Sequence, residues 1–350
     1  MWRFLRAWST QARQKPPKPF RPLASAIILL QVGCTNFKGA IISSQFSAND
    51  IPAREKLRGH LAMILFSMLI AASFSFGALA APHIDPAALS AARFILAAIV
   101  MGVIAGSLGV ELSGAKGVLP KAPWRFLLLG ALMGVYFVTM FEALKIASPV
   151  STGAVFTLMP MISAGLGVVF LSQRVSPRML ISLVIAACGA IWVIFRGDIN
   201  AILAFNIGKG ELIFFVGVIA HGAYAPLVRK FNRGEPVLMF SFWTLLACAI
   251  CLCIYGAWGI ADTQWLNLPP VVYWAGLYLT LFTTALTFFL LQYSSLRLPA
   301  SKVMSYGYLT PSFIILIEGF SGRGWVHPSV ALGALVTVMG LIVLAFARES

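Results

Sequence analysis

Charged residues are scarce in this sequence. Of its 350 residues, 11% are charged and 59% are hydrophobic, and the mean hydropathy is +0.89. A soluble domain usually has about 25% charged residues. The composition therefore excludes an ordinary soluble protein and indicates a membrane protein. Acidic residues are the rarest, with 11 Asp and Glu against 26 Lys and Arg.

The excess of positive charge does not indicate a nucleic-acid partner. Ten of the 26 basic residues lie within the first 58 positions, and most of the others flank apolar runs. They do not cluster on one predicted element, as they do in proteins that bind nucleic acid.

Metal-binding and catalytic motifs are also missing. The chain has five cysteines, and Cys248, Cys251 and Cys253 lie in an apolar run without nearby His, Asp or Glu. They are predicted to pack as small apolar residues, with no metal site. The sequence contains no HExxH, GxSxG or GxxxxGK[ST] motif and no paired carboxylates, so we predict no enzyme, no ATP-driven pump and no cofactor.

Long apolar runs dominate the rest of the chain. A helix needs about 20 apolar residues to cross a bilayer. The sequence therefore predicts an all-α integral membrane protein with ten transmembrane helices. The predicted spans lie near 61–81, 87–108, 126–144, 151–171, 179–195, 212–228, 237–260, 271–296, 303–317 and 328–347.

Basic residues between the spans predict the orientation. If the N-terminus is cytoplasmic, 21 Lys and Arg lie on the cytoplasmic side and five on the other. Because cytoplasmic loops are enriched in Lys and Arg, we expect both termini in the cytoplasm and the protein in the inner (plasma) membrane.

Residues 1–58 are predicted to form a basic, disordered cytoplasmic tail. Residues 23–33 are apolar but too short to span, and with Cys34 they loosely match a lipoprotein signal. Gln31 stands where such a signal has an aliphatic residue. An over-extended start site is the other alternative. We expect deletion of residues 2–55 to leave insertion and transport intact.

The chain repeats itself at an offset of 151 residues. The pairs at this offset are Gly59 with Gly210, Pro160 with Pro311, Ser182 with Gly333, and Gly189 with Gly340. They define repeat 1 (59–198), a periplasmic linker (199–209) and repeat 2 (210–348). Five spans per repeat is an odd number, so the two repeats are predicted to be inverted in the membrane, as in many secondary transporters.

The two repeated prolines each lie about nine residues into a predicted span. A proline within a helix removes one backbone hydrogen bond and kinks the helix. We therefore expect Pro160 and Pro311 to open backbone sites at mid-membrane; kinks that serve only packing are the alternative.

Three segments resemble the EamA family of the drug/metabolite transporter superfamily. They are Ala92-Arg93-Phe94, the LMP sequence 158–160 with VFLSQRVS (169–176), and LFTTAL (281–286) with Tyr308-Leu309-Thr310-Pro311. The resemblance covers about residues 59–347 and implies ten helices, no ATP site and transport of amino acids, nucleotide-sugar-like or cofactor-like metabolites. The sequence departs from the family at Gln173 and Thr310, where carboxylates are common.

Polar groups inside a bilayer are costly and are therefore functional candidates. His221 and Tyr224 share one face of the sixth span, since residues three apart are neighbours on a helix. Eight residues are predicted to line a substrate site between the repeats: Tyr136, Thr139, Pro160, His221, Tyr224, Thr284, Tyr306 and Pro311. A neutral His221 bonded to a neighbouring helix, and Thr hydroxyls bonded to their own backbone, are the alternatives.

Two charged residues are predicted to act in gating or structure. Arg93 lies about two turns into the second span, and Glu142 ends the third span next to Lys145.

The sequence as a whole predicts a secondary transporter for a small organic metabolite, working by alternating access. Its predicted partners are the solute and the lipid bilayer, and a homodimer is left open. The alternative is a channel or a structural membrane protein without carrier activity.

Overall fold

The computed structural model describes residues 51–80, 82–112, 120–147, 152, 155–173, 175–205, 207–320 and 328–346. These ranges contain helices and no strand. The lipoprotein motif at Cys34, most of the predicted tail, and the loop charges Lys116, Arg174, Arg323 and Arg348 lie outside them.

Ten long helical segments follow one another along the described chain. They are α1 (Ala53–Ala80), α2 (Pro86–Ser107), α3 (Trp124–Leu144), α4 (Met159–Leu171), α5 (Pro177–Ile194), α6 (Lys209–Phe231), α7 (Val237–Tyr255), α8 (Pro270–Ser295), α9 (300–320) and α10 (Pro328–Phe346). Short helices at Ile199–Leu203 and Ala257–Asp262 lie in connections.

Eight of the helices in the described ranges are long and apolar enough to cross a membrane. The predicted fourth and ninth spans are the two that fall short. Helix α4 has 13 residues, and α9 consists of Ala300–Ser305, a 3₁₀ turn at Tyr306–Leu309, and Thr310–Phe320. Met159 and Thr310, where the longer helical parts begin, are 151 positions apart, so the interruption occurs at the same place in both halves.

The prolines lie at helix starts, which corrects the prediction of mid-helix kinks. Pro160 is the second residue of α4, and Pro311 is the second residue of the last α-helical part of α9, Thr310–Phe320. The first-turn N–H groups of a helix have no intrahelical acceptor, so a proline there removes no hydrogen bond. The span is interrupted before each proline, by a turn at Thr157–Leu158 in one half and by the 3₁₀ turn in the other.

The start of α1 corrects the predicted tail boundary. The helix begins at Ala53, and its Glu55 accepts a hydrogen bond from Arg297 at 2.9 Å. Arg58 also pairs with Glu55. Residues 53–58 are therefore part of the folded bundle, and a truncation that leaves the bundle intact must stop before Ile51, which is itself buried.

Helix contacts occur in matching pairs when the two halves are exchanged. Helix α3 packs on α6 as α8 packs on α1, and α4 packs on α6 as α9 packs on α1. Helix α7 packs on α3 as α2 packs on α8. The contacts of α2 with α7 and of α5 with α10 each join corresponding helices of the two halves, so the exchange leaves them unchanged.

Glycines show the same pairing at atomic detail. A Cβ atom at Gly189 would lie 2.5 Å from Thr337 Oγ1, and one at Gly340 would lie 3.1 Å from Ala186 Cβ. Gly340 is 151 positions after Gly189, and Thr337 is 151 positions after Ala186. Small residues allow helices to approach closely in membranes, so the α5–α10 contact depends on both glycines.

A buried arginine closes the end of the bundle where α1 begins. Arg125, at the start of α3, is fully buried. It donates to Glu235 at 2.6 Å, to the Lys121 carbonyl at 2.5 Å and to the Phe231 carbonyl. Burial alone would raise the pKa of Glu235, but the hydrogen bond and charge of Arg125 and the backbone N–H of Arg233 hold that pKa below its usual value.

We predict that Arg125→Gln lowers the free energy of unfolding by about 3 kcal/mol, because removing one member of a buried pair leaves the other charge without compensation. The folded-state pKa of Glu235 is lower than its unfolded-state pKa of 4.5. The ionised carboxylate therefore contributes its full stabilisation above pH 4.5, and this stabilisation is lost as the pH falls through the folded-state pKa. Thermal unfolding in detergent from pH 7 to pH 3.5 measures both effects. Arg178→Gln, an exposed arginine, is the control. Equal melting temperatures for the two variants at pH 7 would contradict the prediction.

Candidate functional site

His221 is the residue around which the candidate site is built. It lies near the middle of α6, is 7% exposed, and its Nδ1 atom finds no hydrogen-bond partner among the described residues. Its ring lies 4.4 Å from the ring of Tyr136 on α3 and 6.2 Å from that of Phe156, just before α4. The α3–α6 and α4–α6 contacts therefore place two aromatic rings beside the imidazole.

Arg93 extends this arrangement to α2. Its guanidinium lies 5.2 Å from the ring of Phe137 and 5.4 Å from that of Phe94. Phe137 in turn packs edge-to-face on Tyr136 at 5.1 Å. Arg93, Tyr136, Phe137, Phe156 and His221 thus form a continuous set of contacts across α2, α3, α6 and the start of α4, which we name the central cluster.

The central cluster combines charge, aromatic faces and unused hydrogen-bonding capacity. The Nε atom of Arg93, like Nδ1 of His221, is buried without a partner in the described part of the chain. Native proteins satisfy nearly all buried polar atoms, so such exceptions need a reason. The Tyr136 side chain is half-buried. The cluster can offer a guanidinium, an imidazole and flat apolar surfaces to one small molecule.

Tyr224 is placed in a different environment from His221, although the two share α6. It is fully buried, and its hydroxyl accepts a hydrogen bond from Gln292 Nε2 at 2.8 Å. Gln292 Oε1 accepts one from Ser241 at 2.7 Å. The network joins α6, α7 and α8, so the polar atoms of Tyr224 hold helices together.

The predicted threonines bond to their own helices. Thr139 donates to the Val135 carbonyl at 2.8 Å, and Thr284 donates to the Leu279 carbonyl at 2.9 Å. This is the alternative that sequence reasoning left open for such hydroxyls. Thr284 lies within a π-helical turn, Leu281–Leu286, which interrupts α8. Such turns are frequent at functional sites.

Tyr306 connects the interruption in α9 to α1. Its hydroxyl lies 2.8 Å from His60 Nδ1, and its carbonyl accepts a hydrogen bond from Ser67 at 2.6 Å. Pro311 follows this turn. Pro160 lies beside Met159, whose carbonyl approaches Gly222 of α6. The two proline segments therefore pack against α1 and α6, which are counterparts in the two halves.

Glu142 lies apart from the central cluster, toward the opposite end of the bundle from Arg125. It accepts a hydrogen bond from Lys145 at 2.8 Å and forms an ion pair with it. It also accepts one from Tyr255 at the end of α7. The contact with Tyr255 joins the two halves of the chain.

Sequence reasoning missed several residues that the structure brings to the site. Phe137 and Phe156 are apolar residues in apolar runs, so no local signal separates them from core residues. Gln292 was a detectable signal, since it is a polar residue inside a span, where it needs a partner. His60 lies one position before the first predicted span (near 61–81), so it was not among the polar groups expected inside the bilayer.

Two other features do not form the site. A cavity of about 650 Å³ near Asp85, Trp258 and Asp262 lies at one end of the bundle and touches no residue of the central cluster. Asp85 there caps α2 through the backbone N–H groups of Ala87 and Ala88. Within the described ranges, no three His, Cys, Asp or Glu side chains lie close enough to hold a metal ion.

Comparison with solved structures shows the fold. A crystal structure of a protein with 20% sequence identity superposes on this chain with a TM-score of 0.66. The match covers 83% of this chain and 96% of the other.

Comparison with known sequences shows the family. The chain is 24% identical over 286 residues to the uncharacterized transporter YyaM of Bacillus subtilis (strain 168), covering 81% of this chain and 92% of the relative. It is 23% identical over 295 residues to the uncharacterized transporter YcxC of the same organism, covering 80% and 91%. The model of the EamA-like transporter family matches twice, at residues 57–195 and 208–346. This protein, a multi-pass membrane protein, belongs to the EamA-like transporter family.

Proposed function

We propose that the protein is a secondary transporter that moves a small organic metabolite through the central cluster by alternating access. The observation that carries the proposal is the pairing of two interrupted helices, α4 and α9, at matching positions in the two halves. In many transporters, discontinuous helices at corresponding positions of two repeats mark the substrate site. Here α4 borders His221 through Phe156.

We propose further that the protein lies in the inner (plasma) membrane, that its two halves have opposite orientations across this membrane, and that both termini are cytoplasmic. The matching helix contacts support this arrangement, because exchanging the halves turns the most extensive helix contacts into one another. Two states of similar energy, related by such an exchange, are what alternating access requires.

We divide the eight candidate residues of the proposed site into two groups by role. His221 and Tyr136 face one another in the cluster, and we assign them to solute contact. The other six candidates are assigned to shaping the helices around the cluster: Thr139, Pro160, Tyr224, Thr284, Tyr306 and Pro311. Arg93 belongs to the cluster, whereas Glu142 is assigned to the contact between halves near Tyr255.

The proposed orientation predicts which connections are reachable from outside an intact cell. A cysteine at Asn200, exposed in the helix Ile199–Leu203, should react with a membrane-impermeant maleimide. A cysteine at Arg233, in the α6–α7 connection, should react only after permeabilisation. Arg233 is preferable to Gly234, whose φ of +94° disfavours a side chain. Both variants are made in a background without native cysteines. Labelling at position 233 from outside would overturn the inverted arrangement.

Transport itself is tested by a metabolite survey of cells that lack or overproduce the protein, followed by reconstituted counterflow of each solute found. Exchange of labelled against unlabelled solute is expected, because a carrier couples the two fluxes and a channel does not. Uptake without such exchange would contradict the carrier mechanism and support a channel.

In the same assay, His221→Ala should reduce transport at least tenfold, about 1.4 kcal/mol in transition-state terms. The reason is that the imidazole has a buried hydrogen-bonding atom without a partner among the described residues, which a solute in the cluster can bond. The loss of transport in His221→Gln should be smaller than in His221→Ala if the ring only donates a hydrogen bond. His83→Ala, an exposed histidine in a connection, is the control. Wild-type transport by His221→Ala from pH 5 to pH 8, at equal protein abundance, would leave His221 a packing residue.

A further inference from the structure

Arg93, whose side chain is half-buried, differs from the buried Arg125 and Arg297 in having no carboxylate partner among the described residues. Arg125 pairs with Glu235 at 2.6 Å, and Arg297 pairs with Glu55 at 2.9 Å. Arg93 forms no ion pair among the described residues, its Nε has no hydrogen-bond partner there, and its guanidinium lies over the rings of Phe94 and Phe137. It is also the one charged residue in the 22 residues of α2.

The described carboxylates on the helices packed against α2 do not pair with this charge. Helix α2 packs on α7, on α8, on the short helix Ala257–Asp262 and most weakly on α3. Asp262 of the short helix is exposed and lines the cavity at the end of the bundle. The sequences of α7 and α8 contain no Asp or Glu. The acidic residue of α3, Glu142, is bonded to Lys145 and Tyr255. Within the described part of the chain, no carboxylate therefore neutralises the positive charge of Arg93.

An unpaired charge in this position destabilises the protein unless another molecule compensates it. Arg93 lies about 10 Å along α2 from Pro86, at 1.5 Å per residue, and thus inside the bilayer. Charges at such depth cost several kcal/mol unless they are paired. Ring contacts recover only part of this cost. The arrangement is what a binding site for a mobile anion needs, because the partner must be able to leave.

The chemistry of the neighbours defines the anion. A guanidinium binds a carboxylate with two parallel hydrogen bonds, and it stands next to Phe137, which packs on Tyr136. His221 lies beyond Tyr136. We propose that Arg93 is the anion-recognising group of the central cluster and that the transported solute carries one carboxylate on a flat, apolar body. This inference rests on the proposed transport through the cluster.

The test uses the purified full-length protein and two probes that share one ring, benzoate and its neutral analogue benzamide. Each is titrated at constant ionic strength while thermal unfolding is followed. Benzoate should raise the melting temperature in proportion to the logarithm of its concentration above its Kd. Benzamide should not. No shift with benzoate, or equal shifts with both probes, would overturn the proposal.

Variants assign the effect to Arg93. Arg93→Gln should weaken benzoate binding at least tenfold, whereas the control Arg178→Gln should bind as the wild type does. Without probe, Arg93→Gln should melt at the wild-type temperature or above, because it removes a charge that no protein group compensates. Benzoate binding retained in Arg93→Gln, or a melting temperature well below that of Arg178→Gln without probe, would show a structural role and contradict the proposal.

A further variant covers a failure of Arg93→Gln to fold. Arg93→Lys keeps the charge but loses the two-pronged geometry, so it should bind benzoate more weakly than the wild type and still prefer it to benzamide. Equal binding of both probes by folded Arg93→Lys overturns the proposal. These outcomes are separate from the transport assay: counterflow of a solute by a protein that ignores benzoate would refute the role of Arg93 and leave the carrier function in place.

Discussion

The hydrocarbon core of a bilayer offers no hydrogen-bond partner, so each polar group within it must be satisfied by the protein. The structure follows this constraint closely. Thr139, Thr283, Thr284 and Thr287 donate to carbonyls of their own helices. Pro160 and Pro311 lie in first turns, where no intrahelical bond is lost. Against this background, an unsatisfied polar atom is a sign of function, and Arg93 and His221 carry two of the buried examples.

The same constraint limits how two halves of a chain can pack. Apolar side chains gain little from contact with each other when the alternative is lipid, so close backbone approach becomes the main source of stability between helices. Gly189 and Gly340 supply it between α5 and α10. The halves also meet through polar groups, such as Tyr306 with His60 and Glu142 with Tyr255. The site lies among the helices that such bonds connect.

Much of the helical layout was predictable, because a run of about 20 apolar residues has few other structures open to it. The errors have physical causes. Helix α1 starts at Ala53 since Glu55 is satisfied by Arg297, a partner 242 positions away that hydropathy cannot reveal. The interruptions in α4 and α9 and the π-turn in α8 are local backbone choices inside uniformly apolar sequence. Pro160 and Pro311 gave a sequence signal for the interruptions in α4 and α9, but the π-turn in α8 had none.

The site shows the same limit at single residues. His221 and Tyr224 lie three positions apart on one helix, and the sequence gives both equal reason to be functional. What separates them is Gln292 of α8, which bonds the Tyr224 hydroxyl, while no described residue bonds His221 Nδ1. Polar residues within spans are thus easy to find from sequence. Whether such a residue stabilises the fold or is available to bind a solute depends on the partners that other helices supply. For Arg93, that dependence is strongest, since the relevant fact is that none of the described carboxylates on the helices around it forms an ion pair with it.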